Sequence, residues 1–374
     1  MTKSVTRGYN KKGAGAAACG DGLCASAGHH ASRNMCCADS PVCARRPRDR
    51  LRLGVLGIVL IILIAGVTSL PWLRPGVAFA GAESCRLDAA PVASARLIAR
   101  PVAEGDVRGL FVVPKERKAL PAVLLLGGSN PNAGLSDDYA RALAAAGYAV
   151  FAQRYFGAPG LPEHLLAVPL ETMIHGLDWL VRQQAVDPAR IAVWGRSKGS
   201  EAALLLGLHD PRIKAVIAVS PSSVVWQGLA AFRHPQTSWT WQNKALPFLP
   251  YRWSPTTSIF DYYDDALDRV DHDSEAIIPV ERIAAPILLL AGADDRLWPS
   301  ARMARMIAAR LESHGRRDRL VMRIYPQAGH ALPPPPVAIA TNRLSAFGGT
   351  REGNAAARKA AWRELRCFLQ HTLS

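Results

Sequence analysis

An abrupt turn from a β-rich run into a helical run constrains the fold more than any other feature of this sequence. The segment Gly195-Arg196-Ser197-Lys198-Gly199 follows the apolar run Ile191–Trp194 and precedes a helical run over 200–208. So tight a turn strains the backbone of its central serine, and a Cβ at either flanking glycine would strike the neighbouring strand or helix. The pattern predicts that the Ser197 hydroxyl is exposed above a sheet, at the positive end of a helix dipole.

From about residue 95 onward, short β-rich runs alternate with longer amphipathic stretches. This alternation is typical of a parallel sheet with helices on both faces. The predicted strands are 95–102, 109–113, 122–126, 149–154, 190–194, 215–220, 286–291 and 320–325. The predicted helices are 136–146, with Ser136 as N-cap and Gly147 as its end, 170–183, 199–208, 300–313 and 354–369.

The run 222–282 interrupts the alternation with ten aromatic residues and several prolines. An aromatic, loop-rich insertion beside a sheet commonly forms a lid or one wall of a substrate pocket. A satellite hydrophobic cluster explains the same composition equally well. Both interpretations stay open at the level of the sequence.

The serine needs a base within hydrogen-bond reach and a carboxylate that orients the base. The predicted strand 286–291 is followed by Asp294 and Asp295, and the last predicted strand is followed by His330. We predict that His330 is the base and Asp295 its carboxylate, whereas Asp294 caps or bonds the loop. Because Ser300 begins a helix, a purely structural acid pair at a helix N-terminus is the alternative.

Acyl transfer also requires N–H donors that stabilise an oxyanion. The backbone amide of Lys198, directly after the serine, is the first predicted donor. The second is predicted in the glycine-rich turn 127–130, from Ser129 or otherwise Gly128. An ordinary turn at a strand end is the alternative.

The N-terminal part of the chain carries a targeting pattern. Five arginines within 45–52 precede the apolar run 53–70, which spans about 27 Å as a helix, enough to cross a bilayer. Ala78 and Ala80 lie at the −3 and −1 positions of a cleavage site. We therefore expect a basic leader over 1–52, a signal peptide or retained membrane anchor over 53–80, and an exported catalytic domain, periplasmic or extracellular, over 81–374. Membrane contact through 53–70 is expected if the signal stays uncleaved.

The cysteines divide along the same boundary. Five of the seven lie before residue 53, in spacings that fit no zinc pattern well, so an unstructured leader is favoured over a metal site. Cys85 and Cys367 belong to the exported part. An oxidising compartment would permit a disulfide between them, although separate burial is the alternative.

The net charge of +15 is also unevenly distributed. Residues 1–52 contribute +7, residues 53–295 contribute −2 and residues 296–374 contribute +10. Because the charge is confined to the two ends and no basic motif interleaves with aromatics, nucleic acid is not expected as a partner. The C-terminal arginines fit a solvated helix face better than an anion-binding surface.

Several segments together carry a family resemblance. They are Gly127-Gly128-Ser129, Tyr155-Phe156-Gly157, Ser197-Lys198-Gly199-Ser200-Glu201, Asp294–Ser300 and Ala328-Gly329-His330. The stretch from about Pro121 to Asn342 resembles the α/β-hydrolase catalytic domain shared by acyl-CoA thioesterases and the bile-acid-CoA:amino-acid acyltransferase, which is related to dienelactone hydrolases.

The resemblance implies an α/β-hydrolase fold with a mostly parallel eight-stranded sheet. It implies attack on a small-molecule acyl thioester or ester, with no cofactor or metal, followed by transfer of the acyl group to water or an amine. Family members that transfer to amino acids resemble cysteine enzymes, so Ser197 favours hydrolysis over acyl transfer. A non-catalytic binding protein on the same scaffold is the remaining alternative.

Overall fold

A computed structural model describes Cys85 and residues 96–115, 117–130, 134–229, 235–251, 258–272, 274–332 and 347–374. These residues belong to one unit of the chain, Pro71–Ser374. The predicted leader, the apolar run 53–70 and the five N-terminal cysteines lie outside the described residues.

An eight-stranded mixed sheet forms the centre of the fold, as predicted. Its strands are β1 (Leu97–Glu104), β2 (Val107–Pro114), β3 (Leu120–Leu126), β4 (Ala149–Arg154), β6 (Val186–Arg196), β7 (Ile213–Val219), β10 (Ile287–Gly292) and β11 (Leu320–Tyr325). The spatial order is β1-β2-β4-β3-β6-β7-β10-β11. Strands β1 and β2 pair antiparallel, as do β2 and β4, and every later pair is parallel.

Helices cover both faces of this sheet because its strands alternate their side chains between two cores. On β3, Ala122, Leu124 and Leu126 face one core, while Val123 and Leu125 face the other. The first core is completed by α2 (Leu170–Val181), α3 (Lys198–His209) and α5 (Ser300–Ser313). The second is completed by α1 (Gly134–Ala145) and α6 (Arg351–Thr372).

Helix α1 differs from the sequence prediction at its start. It begins at Gly134, so Ser136 lies inside the first turn and is not the N-cap. Its hydroxyl instead lies close to the β3–α1 turn, where a Cβ on Gly127 would come within 3.0 Å of it. Gly147 does end the helical region, with a φ of 102°.

The insertion contains structure that the sequence did not predict. It includes α4 (Ile259–Leu267), opened by a capping box at Ser258, and a short 3-10 helix at Val280–Arg282. Two of its strands, β8 (Trp239–Trp241) and β9 (Lys244–Ala245), form a small second sheet with β5 (Val168–Pro169).

A disulfide joins Cys85 to Cys367, with the two Cα atoms 5.8 Å apart, so the paired interpretation of these cysteines holds. Among the described residues, none of the helices combines the length and apolar character needed to span a bilayer. Within those ranges, no three His, Cys, Asp or Glu side chains form a group suited to a metal ion.

Candidate active site

The turn at Ser197 has the predicted strained geometry. Ser197 is the one residue between the end of β6 and the start of α3, with φ 54° and ψ −125°. Its N–H donates to the Val219 carbonyl of the neighbouring strand at 2.9 Å. A positive φ is costly for a residue with a side chain, so this conformation persists only because the surrounding structure holds it.

The glycines on either side are required for close packing. A Cβ on Gly195 would collide with the Gly199 carbonyl, and a Cβ on Gly199 would collide with the carbonyls of Leu126 and Gly127. The second collision shows that the first turn of α3 lies directly against the turn after β3. The two glycines therefore bring the serine and the predicted oxyanion turn together.

His330 and Asp295 meet in a buried pair. The His330 Nδ1 lies 2.9 Å from Asp295 Oδ2, and the side chains are only 4% and 2% exposed. Asp295 Oδ1 accepts from the backbone N–H groups of Leu297 at 2.9 Å and Trp298 at 3.2 Å. The carboxylate is thus fixed by three contacts, and its bond to Nδ1 leaves Nε2 as the nitrogen available for proton transfer.

Asp294 has a different set of partners. Its Oδ1 accepts from Arg296 Nε at 3.1 Å, and its Oδ2 accepts from the Gly349 N–H at 2.8 Å. Asp294 therefore bonds the loop, whereas its neighbour Asp295 contacts the histidine.

A segment far along the chain joins the acid loop to the histidine loop. The Phe347 carbonyl accepts from the His330 N–H at 2.8 Å and from the Arg296 N–H at 3.3 Å. Asn354, in the first turn of α6, accepts from the Gly329 N–H at 2.9 Å. Sequence reasoning did not predict these contacts, because the only signal is a glycine pair before the helix and an asparagine in its first turn.

Ser220 links the histidine to the strand next to the serine. It has a φ of 48°, its N–H donates to the Leu290 carbonyl at 2.8 Å, and its hydroxyl donates to the His330 carbonyl at 3.1 Å. A polar residue directly after an apolar strand is a usable sequence signal for this role, which was not predicted for Ser220.

The predicted oxyanion donors lie on both sides of the serine. Lys198 is the first residue of α3, so its N–H has no acceptor within the helix. Gly128 lies against the serine from the other loop, since a Cβ there would come within 3.3 Å of Ser197 Cβ. Ser129 follows at an exposed position.

The Lys198 side chain is buried in an ion pair. Its Nζ lies 2.8 Å from Glu201 Oε2, while Glu201 Oε1 accepts from the Trp226 N–H at 2.9 Å and from Trp239 Nε1 at 2.6 Å. Burial lowers the pKa of Lys198 and raises that of Glu201, and the opposite charge of the partner counters both shifts. This pair connects the start of α3 to two tryptophans of the insertion.

Aromatic residues extend from the insertion to the histidine. Trp226 packs edge-on against Tyr263 at 4.9 Å, Tyr263 against Trp298 at 5.7 Å, and Trp298 against His330 at 5.7 Å between ring centroids. Part of the insertion therefore forms a satellite cluster with Trp298, and Trp298 in turn contacts His330.

The structure thus pairs the predicted histidine with the predicted acid, and Ser220 ties the histidine loop to the strand next to the one that ends at the predicted serine. One position departs from the sequence prediction, because Ser197 is 4% exposed where it was expected to be exposed. Their catalytic roles stay predictions.

Comparison with known proteins gives three findings. The family described as "BAAT / Acyl-CoA thioester hydrolase C terminal" matches residues 168–374. Acyl-coenzyme A thioesterase 6 of Mus musculus is 31% identical over 287 residues, which are 73% of this chain and 65% of that protein. Acyl-coenzyme A thioesterase 1 of Homo sapiens is 28% identical over 285 residues, with the same coverage of 73% and 65%.

The chain therefore spans about two thirds of the length of these curated relatives. Among solved structures, a putative dienelactone hydrolase from Klebsiella pneumoniae superposes with a TM-score of 0.50 and 18% identity, covering 74% of this chain and 99% of that chain. At that identity the likeness shows the fold alone.

Proposed function

The chain belongs to the BAAT / acyl-CoA thioester hydrolase C-terminal family, and we propose that it is a serine hydrolase that cleaves an acyl thioester or carboxylic ester through an acyl-enzyme. Two observations together carry the proposal: the strained, buried Ser197 after β6, and the buried His330–Asp295 hydrogen bond on a loop that Ser220 ties to the neighbouring strand β7. A histidine–carboxylate pair can act as the base that such a serine needs, because a neutral hydroxyl is a poor nucleophile.

In the acylation step, Ser197 Oγ attacks the acyl carbon while His330 Nε2 takes the hydroxyl proton. Asp295 holds the imidazole in the required tautomer and stabilises the imidazolium that forms. The Lys198 and Ser129 N–H groups stabilise the oxyanion. When the intermediate collapses, the bond to the leaving thiol or alcohol breaks and His330 returns the proton to it.

In the deacylation step, water gives a proton to His330 and its oxygen attacks the acyl-enzyme. Collapse of the second tetrahedral intermediate releases the carboxylic acid, and the proton goes back to Ser197 Oγ. An amine or alcohol acceptor would follow the same route, so product analysis with added acceptor separates hydrolysis from transfer.

The first substrates to test are acyl-CoA thioesters, because the relatives are named acyl-coenzyme A thioesterases. Esters belong in the same series, because export would separate the enzyme from cytosolic acyl-CoA.

Export is part of the proposal. It is supported by the arginines before the apolar run 53–70 and by the Cys85–Cys367 disulfide, a bond that persists in oxidising compartments. Cell fractionation with an antibody to the C-terminal part tests it, and recovery in the cytosol would contradict it.

The decisive experiment compares Ser197→Ala with the unchanged chain on p-nitrophenyl esters and acyl-CoAs of graded length. We expect kcat to fall by at least about 10⁴-fold and labelling by a fluorophosphonate probe to disappear. Ser313→Ala, at the exposed end of α5, is the matched control and should behave like the unchanged chain. Retained hydrolysis in Ser197→Ala would refute the proposal, and an unreactive unchanged chain would favour the non-catalytic scaffold.

A further inference from the structure

Tyr155 occupies a position that the mechanism above does not use. It follows directly after β4, and it is buried. Its hydroxyl donates to the Gly127 carbonyl at 2.6 Å and lies 3.2 Å from the Gly128 carbonyl. The single O–H hydrogen of Tyr155 is therefore shared between two successive carbonyls of the predicted oxyanion turn, with the shorter contact to Gly127.

Holding these carbonyls also orients the N–H groups. In a planar trans peptide the N–H points opposite to the C=O. The Gly127 carbonyl shares its peptide with the Gly128 N–H, and the Gly128 carbonyl shares its peptide with the Ser129 N–H. Both N–H groups therefore point away from Tyr155, on a turn where Gly128 lies against Ser197.

The turn needs such an external constraint. Two consecutive glycines have little conformational preference of their own, so their peptide planes can rotate at low cost. A rotated plane would present a carbonyl oxygen, and not an N–H, toward an oxyanion. The resulting repulsion would replace a stabilising hydrogen bond in the transition state.

Tyr155 is itself well anchored. Its ring packs against Phe156 at 5.2 Å and Trp239 at 5.5 Å between centroids, and Trp239 donates to Glu201, the partner of Lys198. Burial, with the nearby Glu201 charge, raises the pKa of Tyr155 well above its ordinary value of 10. The phenol therefore stays protonated, and stays a donor, throughout the pH range of an assay.

We propose that Tyr155 is a positioning residue that presets the second half of the oxyanion hole by fixing the Gly127 and Gly128 peptide planes, so that the Ser129 N–H faces the developing oxyanion. This inference rests on the proposed function and adds to it a residue that never touches the substrate.

Tyr155→Phe is the direct test, because it removes one oxygen and keeps the ring. The oxyanion exists only in the tetrahedral state, so we expect kcat to fall about 10- to 100-fold while KM changes by less than about threefold. An alkyl trifluoromethyl ketone, which Ser197 would convert into a tetrahedral adduct, should lose affinity by the same factor as kcat/KM. The fatty acid of equal chain length, which forms no oxyanion, should bind unchanged.

Tyr139→Phe is the matched control, since its buried hydroxyl has no hydrogen-bond partner among the described residues. It should leave kcat and both inhibitor affinities unchanged. Equal weakening of the ketone and the fatty acid in Tyr155→Phe would overturn the inference, because it would show a role in the pocket only. Unchanged kcat and ketone affinity would also overturn it.

Ser129→Pro keeps the inference testable even if Tyr155→Phe folds poorly. This change removes the proposed donor N–H at an exposed position, and it should lower kcat about 10²- to 10³-fold. In that background, Tyr155→Phe should cost less than about threefold more, because the donor that it orients is absent. Additive losses, or full activity of Ser129→Pro, would refute the inference. Failure of the proposed function itself would appear separately, as hydrolysis by the unchanged chain that does not depend on Ser197.

Discussion

The buried pair of Lys198 and Glu201 should respond to substitution in a way that an exposed ion pair would not. Their side chains are 3% and 0% exposed, so neither charge is compensated by water. Lys198→Met leaves the carboxylate with only its two donors from Trp226 and Trp239. Breaking one side of a buried pair costs about 3–5 kcal/mol, and we expect a loss of this size in the free energy of unfolding at pH 8.

The double variant Lys198→Met/Glu201→Gln should recover part of that loss. A glutamine oxygen in place of Oε1 still accepts from Trp226 and Trp239, and both charges are gone. The remaining cost is one buried amide NH2 group whose two N–H donors lack the partner that Lys198 gave to Oε2, about 1–3 kcal/mol. The double variant is therefore expected to be more stable than Lys198→Met by about 2 kcal/mol at pH 8, although it carries one more substitution.

The pH dependence has a defined sign. Without Lys198, only the Trp226 and Trp239 donors oppose the effect of burial, which raises the pKa of Glu201 above its ordinary value of 4.5. A carboxyl whose pKa is raised by folding favours the native state below the unfolded pKa, and this contribution is lost as the pH rises through the folded pKa. The stability gap between the unchanged chain and Lys198→Met should therefore widen from pH 5 to pH 8, whereas the gap for the double variant should not.

Urea unfolding at 25 °C, followed by far-UV circular dichroism and tryptophan fluorescence at both pH values, measures these differences. Coincident transitions from the two probes are required before the free energies are compared. Glu201→Gln alone is measured in the same way. If the double variant loses as much free energy of unfolding as Lys198→Met and Glu201→Gln lose together, at both pH values, a buried charge pair is refuted as the cause.

The acid loop and the disulfide each give a further prediction. Asp295→Asn should lower kcat about 10⁴-fold, because the asparagine allows the wrong histidine tautomer. Asp294→Asn keeps an acceptor for the Gly349 N–H, so its kcat should stay within about fivefold of that of the unchanged chain. Steady-state kinetics on one ester measures both, and equal losses would contradict the assignment of Asp295 as the catalytic acid. Removing the disulfide by Cys85→Ser/Cys367→Ser should reduce the free energy of unfolding by about 2–4 kcal/mol in urea, while unchanged stability would show that the link adds no constraint.

Much of the fold followed from local patterns. Strands β4 and β11 and helix α5 have the predicted bounds, since each is a clear periodic run closed by glycine, proline or polar residues. The turn at Ser197 was predictable for a related reason, because its glycines are required by steric contacts close in the chain. Chain order on a parallel sheet was enough to associate His330 and Asp295 with that serine.

The contacts that sequence reasoning missed are all long-range. Phe347 joins two loops through backbone hydrogen bonds, and nothing in the identity of a residue predicts such bonds. Tyr155 was noticed in a motif, but its role depends on carbonyl directions in a turn about 27 residues earlier in the chain. The predicted start of α1 at Ser136 was wrong, because the helix begins two residues earlier, at Gly134, and a serine within the first turn gives the same local pattern as an N-cap.

The arrangement of the candidate site follows from the parallel part of the sheet. Six parallel strands end at the same edge, and each is followed there by one member of the site: Tyr155 after β4, Gly128 after β3, Ser197 after β6, Ser220 after β7, Asp295 after β10 and His330 after β11. Loops on such an edge are close together but independently mobile, whereas proton transfer and oxyanion binding tolerate errors of only about 0.5 Å. The hydrogen bonds from Ser220 to the histidine loop, from Tyr155 to the oxyanion turn and from the His330 imidazole to Asp295 each join two different loops. The sheet therefore supplies the proximity of the six residues, and these cross-links between loops supply the accuracy that proximity alone does not give.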